Sequence, residues 1–188
     1  DALVSIQTAD GKTAAKDRGE LQITDYGISG IPVFQVSRYA VRALEEGKQV
    51  RAVLNLLPLF DEEQFLTFLR DRVEKNGYKT GEQFLTGLFP AKMGSCILER
   101  SGLGKSKKRA ADWTEGEIWK ILEAILAFET EITGSGDFTQ AQVCSGGVEL
   151  KEVRPETMES RIIPGLYFAG EVLDVDGACG GYNLQWAW

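Results

Sequence analysis

Histidine is missing from all 188 residues, which removes imidazole as an acid, a base or a metal ligand in this stretch. The three cysteines, Cys96, Cys144 and Cys179, lie far apart without paired spacing. That pattern opposes a zinc site or a disulfide framework and fits a reducing compartment, with the cytoplasm the expected location. No apolar run approaches the ~20 residues that span a bilayer, and the opening DALVSIQTAD has neither part of a secretion signal. Positive charge is short as well: 21 Lys and Arg face 28 Asp and Glu, a net charge of −7, which opposes a phosphate-backbone partner. Lys105, Lys107, Lys108 and Arg109 form a basic cluster among Gly and Ser and read as a solvated loop. A G-x-G-x-x-G turn is absent too. The nearest glycine string, Gly102-Leu-Gly104-Lys105-Ser106, is no phosphate loop, because the first glycine of G-x-x-x-x-G-K-[ST] falls on Glu99.

What is present is a 43% hydrophobic share, enough to build a core. In Arg161 to Trp188, Pro164-Gly165 leads into Leu166, Tyr167, Phe168 and Ala169, which stop at Gly170 and Glu171. The run predicts a short buried strand of parallel type, ending in a glycine that lets backbone approach closely and a carboxylate that accepts hydrogen bonds. Ligands of open α/β sheets sit beyond such strand ends. Further on, Gly180, Gly181, Tyr182 and Asn183 precede Leu184-Gln-Trp-Ala, a first helical turn whose unpaired N–H groups suit an anion or an electron-rich ring edge. The same pattern also serves as plain architecture.

Earlier in the chain, Leu3 to Gln7, the Asp10-Gly11 turn and Leu21 to Thr24 predict a hairpin. The polar stretch between, 11–20, is a strand edge or a long loop. Tyr26 to Gly30 forms a corner, and Pro32 opens a helix carrying Val33, Val36, Ala40, Val41 and Leu44 on one face and closing at Gly47. Val50, Ala52, Leu54 and Leu56 alternate as a strand that Pro58 ends. Capping boxes at Asp61–Gln64, Thr80–Gln83 and Thr114–Glu117 open helices through Phe65, Leu66, Leu69 and Val73, through Phe84, Leu85 and Leu88, and through Ile118, Ile121, Leu122 and Ile125. Another helix starts at Pro90 and carries Met93, Ile97 and Leu98, with Cys96 expected in the core. Phe128, Thr130 and Ile132 form a returning strand, and Ala141 to Val143 a short one before Gly146-Gly147-Val148.

GLYFAGEVLDVDGACGGYNLQWA resembles the flavin-binding segment of the BaiN-like family of bacterial NAD(P)/FAD-dependent oxidoreductases. Gly146-Gly147-Val148, Thr157-Met158-Glu159-Ser160 and ITDYGISG at Ile23 to Gly30 match further family hallmarks in order. The resemblance implies an α/β fold: an inserted middle domain over 1–140, with strands in 1–57, a helical lobe in 58–126 and a returning strand in 127–140. The carboxyl-terminal part of a Rossmann-like FAD-binding domain would occupy 141–188. It also implies a piece of a longer flavoprotein whose amino-terminal G-x-G-x-x-G unit, a partner from the same protein, lies elsewhere.

By the same resemblance, Gly170 and Glu171 would meet the flavin, with Glu171 taking the ribityl hydroxyls. The N–H groups around Gly180, Gly181, Asn183 and Leu184 would face the pyrimidine edge. Asp176 either lines the isoalloxazine or, with Asp174, shapes the loop by Asx bonds. Gly146 and Gly147 either allow close approach near the cofactor or make a bare turn. Cys179 packs as a small residue or does redox chemistry, and Tyr182 is a lid or a donor. The implied activity passes hydride from NAD(P)H through FAD to a small organic substrate, with no catalytic side chain assigned, because the hydride chemistry is the cofactor's; the acidic balance, the lack of a long apolar run and the lack of a His/Cys cluster speak against nucleic acid, membrane and metal. A chain that only caps a substrate or mediates interactions, without a cofactor, is the alternative, and a member that has become a binding protein is a third.

Overall fold

The computed structural model describes residues 1–104, 106–137, 139, 141 and 145–188. The expected strand at Ala141 to Val143, together with Cys144 and Lys105, therefore lies largely outside the described residues.

Alternation of apolar and polar residues sets the first layer. β1 (Ala2–Thr8) pairs antiparallel with β2 (Thr13–Gly19) and β5 (Val50–Asn55), and β5 pairs antiparallel with β6 (Phe128–Ile132). The sheet order is β2-β1-β5-β6. The polar stretch 11–20 thus resolves as an edge strand, where one charged face meets water. Register places Val4 opposite Leu54 and Ile6 opposite Ala52, so one face is continuously apolar. A side hairpin of β3 (Gln22–Thr24) and β4 (Gly27–Ser29) occupies the corner before α1 (Ile31–Glu45). Pro32 in the first turn supplies a preset φ. Val36, Ala40 and Ala43 then bury against Val4, Ile6, Ala52 and Leu54.

The second layer is helical. α2 (Glu62–Asn76), α3 (Gly81–Leu85), α4 (Ala91–Arg100) and α5 (Glu115–Leu126) enclose Phe65, Leu69, Phe84, Leu85, Ile97, Ile121 and Ile125. The capping boxes form as the sequence predicts. Asp61 Oδ1 accepts from Gln64 N–H at 2.8 Å, and Glu117 Oε2 accepts from Thr114 N–H at 2.8 Å. α3 stops at Leu85, short of the expected Leu88, because Thr86 turns extended and Gly87 adopts a left-handed φ of 87°. Arg72 of α2 caps the released carbonyls of Phe84 and Thr86 at 2.9 and 3.0 Å.

Cys96 is exposed, contrary to expectation, because the inward stripe of α4 is Gly94, Ile97 and Leu98. Lys108, from the expected solvated loop, pairs with Glu117 at 2.8 Å. Leu56 touches both cores, and its N–H bonds to the Ile125 carbonyl at 3.0 Å, joining sheet to lobe. Among the described residues no helix is long and apolar enough to cross a membrane.

Candidate functional site

The carboxyl-terminal segment is built from backbone hydrogen bonds rather than from a sheet. Val153 pairs with Ser160, and Glu159 with Tyr167, both as isolated antiparallel bridges. Ser160 is buried, and its Oγ accepts the N–H groups of Ile162 and Ile163 at 3.1 Å each. Glu159 Oε1 accepts the N–H of Gly165 at 2.9 Å. Met158 takes a positive φ of 61°. That conformation persists because both of its backbone groups are held: its N–H bonds to Arg154 O at 2.7 Å, and its carbonyl accepts from Phe168 N–H at 3.0 Å.

This arrangement corrects the expectation for Leu166 to Ala169. The run is not a buried parallel strand; Leu166 and Tyr167 are 40% and 61% exposed. Its backbone partners are the antiparallel residues 158–160, and no second strand flanks it among the described residues, with Leu166, Tyr167 and Ala169 exposed and Phe168 half-buried.

The next turn sets Glu171. Gly170, at φ 77°, opens a 3-10 turn, Gly170–Val172, and Leu173 behind it is buried. Val148 pairs in parallel with Leu173, through Val148 N–H to Val172 O at 2.8 Å and Asp174 N–H to Val148 O at 3.1 Å. Gly147 makes this possible: a Cβ there would lie 2.7 Å from the Leu173 carbonyl carbon and 2.8 Å from Asp174 N. Gly147 thus lies close against the backbone just after Glu171. Glu171 itself is exposed and takes part in no ion pair among the described residues.

From Asp174 the chain loops to α6 (Tyr182–Ala187), which starts at Gly181 in the left-handed region, φ 93°. α6 packs beside the 3-10 turn that carries Glu171, so Gly170, Glu171, Gly180, Gly181, Asn183 and Leu184 gather on adjoining elements. Asn183 turns its side chain back, and its Oδ1 accepts the N–H of Gly177. Cys179 is exposed, and its backbone N–H donates to Gln35 Oε1 at 2.6 Å. Tyr182 is exposed at the head of α6. Asp176 is held by α1: Arg42 Nη2 reaches its Oδ2 at 3.3 Å, Arg38 Nη1 at 3.6 Å, and Ser145 Oγ donates to it at 2.9 Å. Gln35, Arg38 and Arg42 are contacts that the sequence reading missed. The signal lay in their spacing of three and four residues, a polar stripe on a helix read only for its apolar face.

The donor set fits a flavin. A free carboxylate at Glu171 accepts hydroxyls, and the helix start beside it offers N–H groups with the positive end of the dipole. A Cβ added at Gly170, Gly180 or Gly181 would meet nothing within 4 Å, so the backbone is open to an approaching group at all three. The indole N–H of Trp186, on α6, is buried without an acceptor among the described residues, as is that of Trp113 in the helical lobe.

Known proteins place the chain. Residues 2–143 match the HI0933-like protein barrel and H2TH domain, and residues 101–188 the HI0933-like protein Rossmann domain. The chain is 45% identical over 178 residues to 3-dehydro-bile acid delta(4,6)-reductase of Clostridium scindens, covering 93% of this chain and 42% of that protein. Ribosomal RNA dihydrouridine synthase of Escherichia coli is 30% identical over 187 residues, covering 100% of this chain and 44% of that enzyme. The Haemophilus influenzae protein of the same name is 34% identical over 169 residues, covering 90% and 39%. The chain thus spans about two fifths of the length of these relatives. With a mixed α/β architecture of barrel-and-H2TH and Rossmann parts, the chain belongs to the HI0933-like, or BaiN-like, family of FAD-dependent oxidoreductases.

Proposed function

We propose that this chain carries the middle domain and part of the flavin site of an FAD-dependent oxidoreductase, acting in the cytoplasm on a small organic substrate with NAD(P)H as electron donor. The observation that carries the reading is the adjacency of the Glu171 turn and the α6 start at Gly181. Glu171 would hold the ribityl arm, and the N–H groups of Gly180, Gly181, Asn183 and Leu184 would stabilise electron density on the pyrimidine edge. A bound flavin supplies hydride chemistry; these residues bind and orient it. The pyrophosphate end would be held by the amino-terminal half of the same protein. The exposed Ile162, Ile163, Leu166, Tyr167, Val172 and Leu184 would pack against that half.

The activities for which the relatives are named suggest the reaction class. Reduction of a delta(4,6) bile acid and formation of dihydrouridine both saturate a carbon–carbon double bond conjugated to a carbonyl. We infer the same reaction here, with the small enone favoured by the higher identity, 45% against 30% and 34%, and by the net charge of −7. A uridine in ribosomal RNA is the second reading, favoured by the two dihydrouridine synthases.

Anaerobic titration of the full-length, flavin-loaded protein with NADH and with NADPH tests the reading. Bleaching by either is expected, followed by reoxidation by a steroid dienone and not by unmodified ribosomal RNA. Reoxidation by RNA alone would move the assignment to the second reading, and a protein with no flavin would end both.

A further inference from the structure

One carboxylate oxygen joins segments more than a hundred residues apart. Asp176 Oδ2 collects the Arg42 guanidinium at 3.3 Å, the Arg38 guanidinium at 3.6 Å and the Ser145 hydroxyl at 2.9 Å, while Arg42 also donates to Ser145 Oγ at 2.9 Å and lies 4.0 Å from Asp174. The side chains of Asp176 and Arg38 are each only 19% exposed. An isolated exposed ion pair contributes little, but a shared, mostly covered acceptor with several donors acts as a network. Gln35, one turn before Arg38, takes the N–H of Cys179 at 2.6 Å. A single stripe of α1 thus grips the loop at both of its ends. Immediately after Asp176, the N–H of Gly177 is bound by Asn183 inside the first turn of α6. An anchor at Asp176 therefore passes to the helix start through one residue.

We propose that Arg42 and Arg38 are positioning residues that latch the 174–179 loop through Asp176, so that α1 sets where the α6 start sits. The consequence for flavin rests on the function proposed above, whereas the latch itself does not. Asp176 is then a structural hub rather than a group spent on the isoalloxazine, and a change on the far side of α1 would be felt at the ring.

The test uses full-length protein and follows backbone amide exchange together with flavin retention and the fine structure of the visible flavin band. Arg42→Gln is expected to speed exchange about 10-fold across 174–181, leave β5 and α5 unchanged, blur the band and weaken FAD about 10-fold, roughly the loss of one charge-assisted contact. Arg42→Lys is expected to recover part of each effect, and Arg42→Gln combined with Asp176→Asn to lose no more than Asp176→Asn alone. Unchanged exchange at 174–181, a uniform rise that includes β5 and α5, or additive losses in the double variant would overturn the latch. If the wild-type protein carries no flavin, the functional reading falls while the exchange pattern still decides the latch.

Discussion

Asn183 and Gly177 meet across the mouth of α6: the amide oxygen of Asn183 accepts the N–H of Gly177, folding the loop back on the helix it precedes. A Cβ at Gly177 would lie 2.6 Å from Asn183 Oδ1 and 3.1 Å from its backbone N. The side chain can rotate away, but the backbone N of a helix start cannot. Gly177→Ala is therefore expected to lower stability by about 1–3 kcal/mol, the usual cost of overpacking. It is also expected to weaken flavin binding, read by thermal unfolding and FAD titration of the full-length protein. Unchanged values in both would mean the loop has room this geometry denies.

The α5 cap has a pH signature. Lys108 bonded to Glu117, then the Thr114 backbone N–H, pull the Glu117 carboxyl from 4.5 to about 2. A carboxyl lowered on folding contributes stability that is present above its unfolded value and is lost as pH falls through its folded one. The contribution of Glu117 should therefore fade between about pH 4.5 and 2. Glu117→Gln is expected to be less stable at pH 7 and to show a shallower fall across that window, measured by unfolding curves at a series of pH values. Parallel curves for the two proteins would show that the cap carries no such charge dependence.

Phe84 is fully buried in the helical lobe, with its ring edge-on to Trp113 at 4.9 Å and the Arg72 guanidinium 5.3 Å from its centroid. Phe84→Ala is expected to cost about 3–5 kcal/mol, the range for emptying an aromatic core site. Denaturant unfolding monitored by tryptophan fluorescence should show a lower midpoint with an unchanged slope. A loss under about 1 kcal/mol would mean the lobe closes over the cavity.

Much of this was legible in the sequence because local rules and global fold agree. Val50 to Leu56 alternates as β5 does, and the three capping boxes begin helices where their residues stand. Cys96 departs from expectation because a cysteine's apolar character says nothing of which way a helix faces. Leu166 to Ala169 misled for a related reason: an apolar run reports the tendency to be covered, and the residues that bond to it here, 158–160, do not cover it. The α1 stripe of Gln35, Arg38 and Arg42 shows in its spacing, but its partner does not, because Arg42 and Asp176 are joined only by tertiary folding and no local pattern marks a contact across that separation.

The central claim is that Glu171, standing beside the Gly181 helix start, grips a flavin. The most direct measurement is FAD titration of full-length apoprotein against its Glu171→Gln variant. A charged hydrogen-bond acceptor contributes about 1.5–3 kcal/mol, so the variant is expected to bind FAD roughly 10- to 100-fold more weakly at unchanged thermal stability of the apoprotein. Equal affinity in the two proteins would contradict the account.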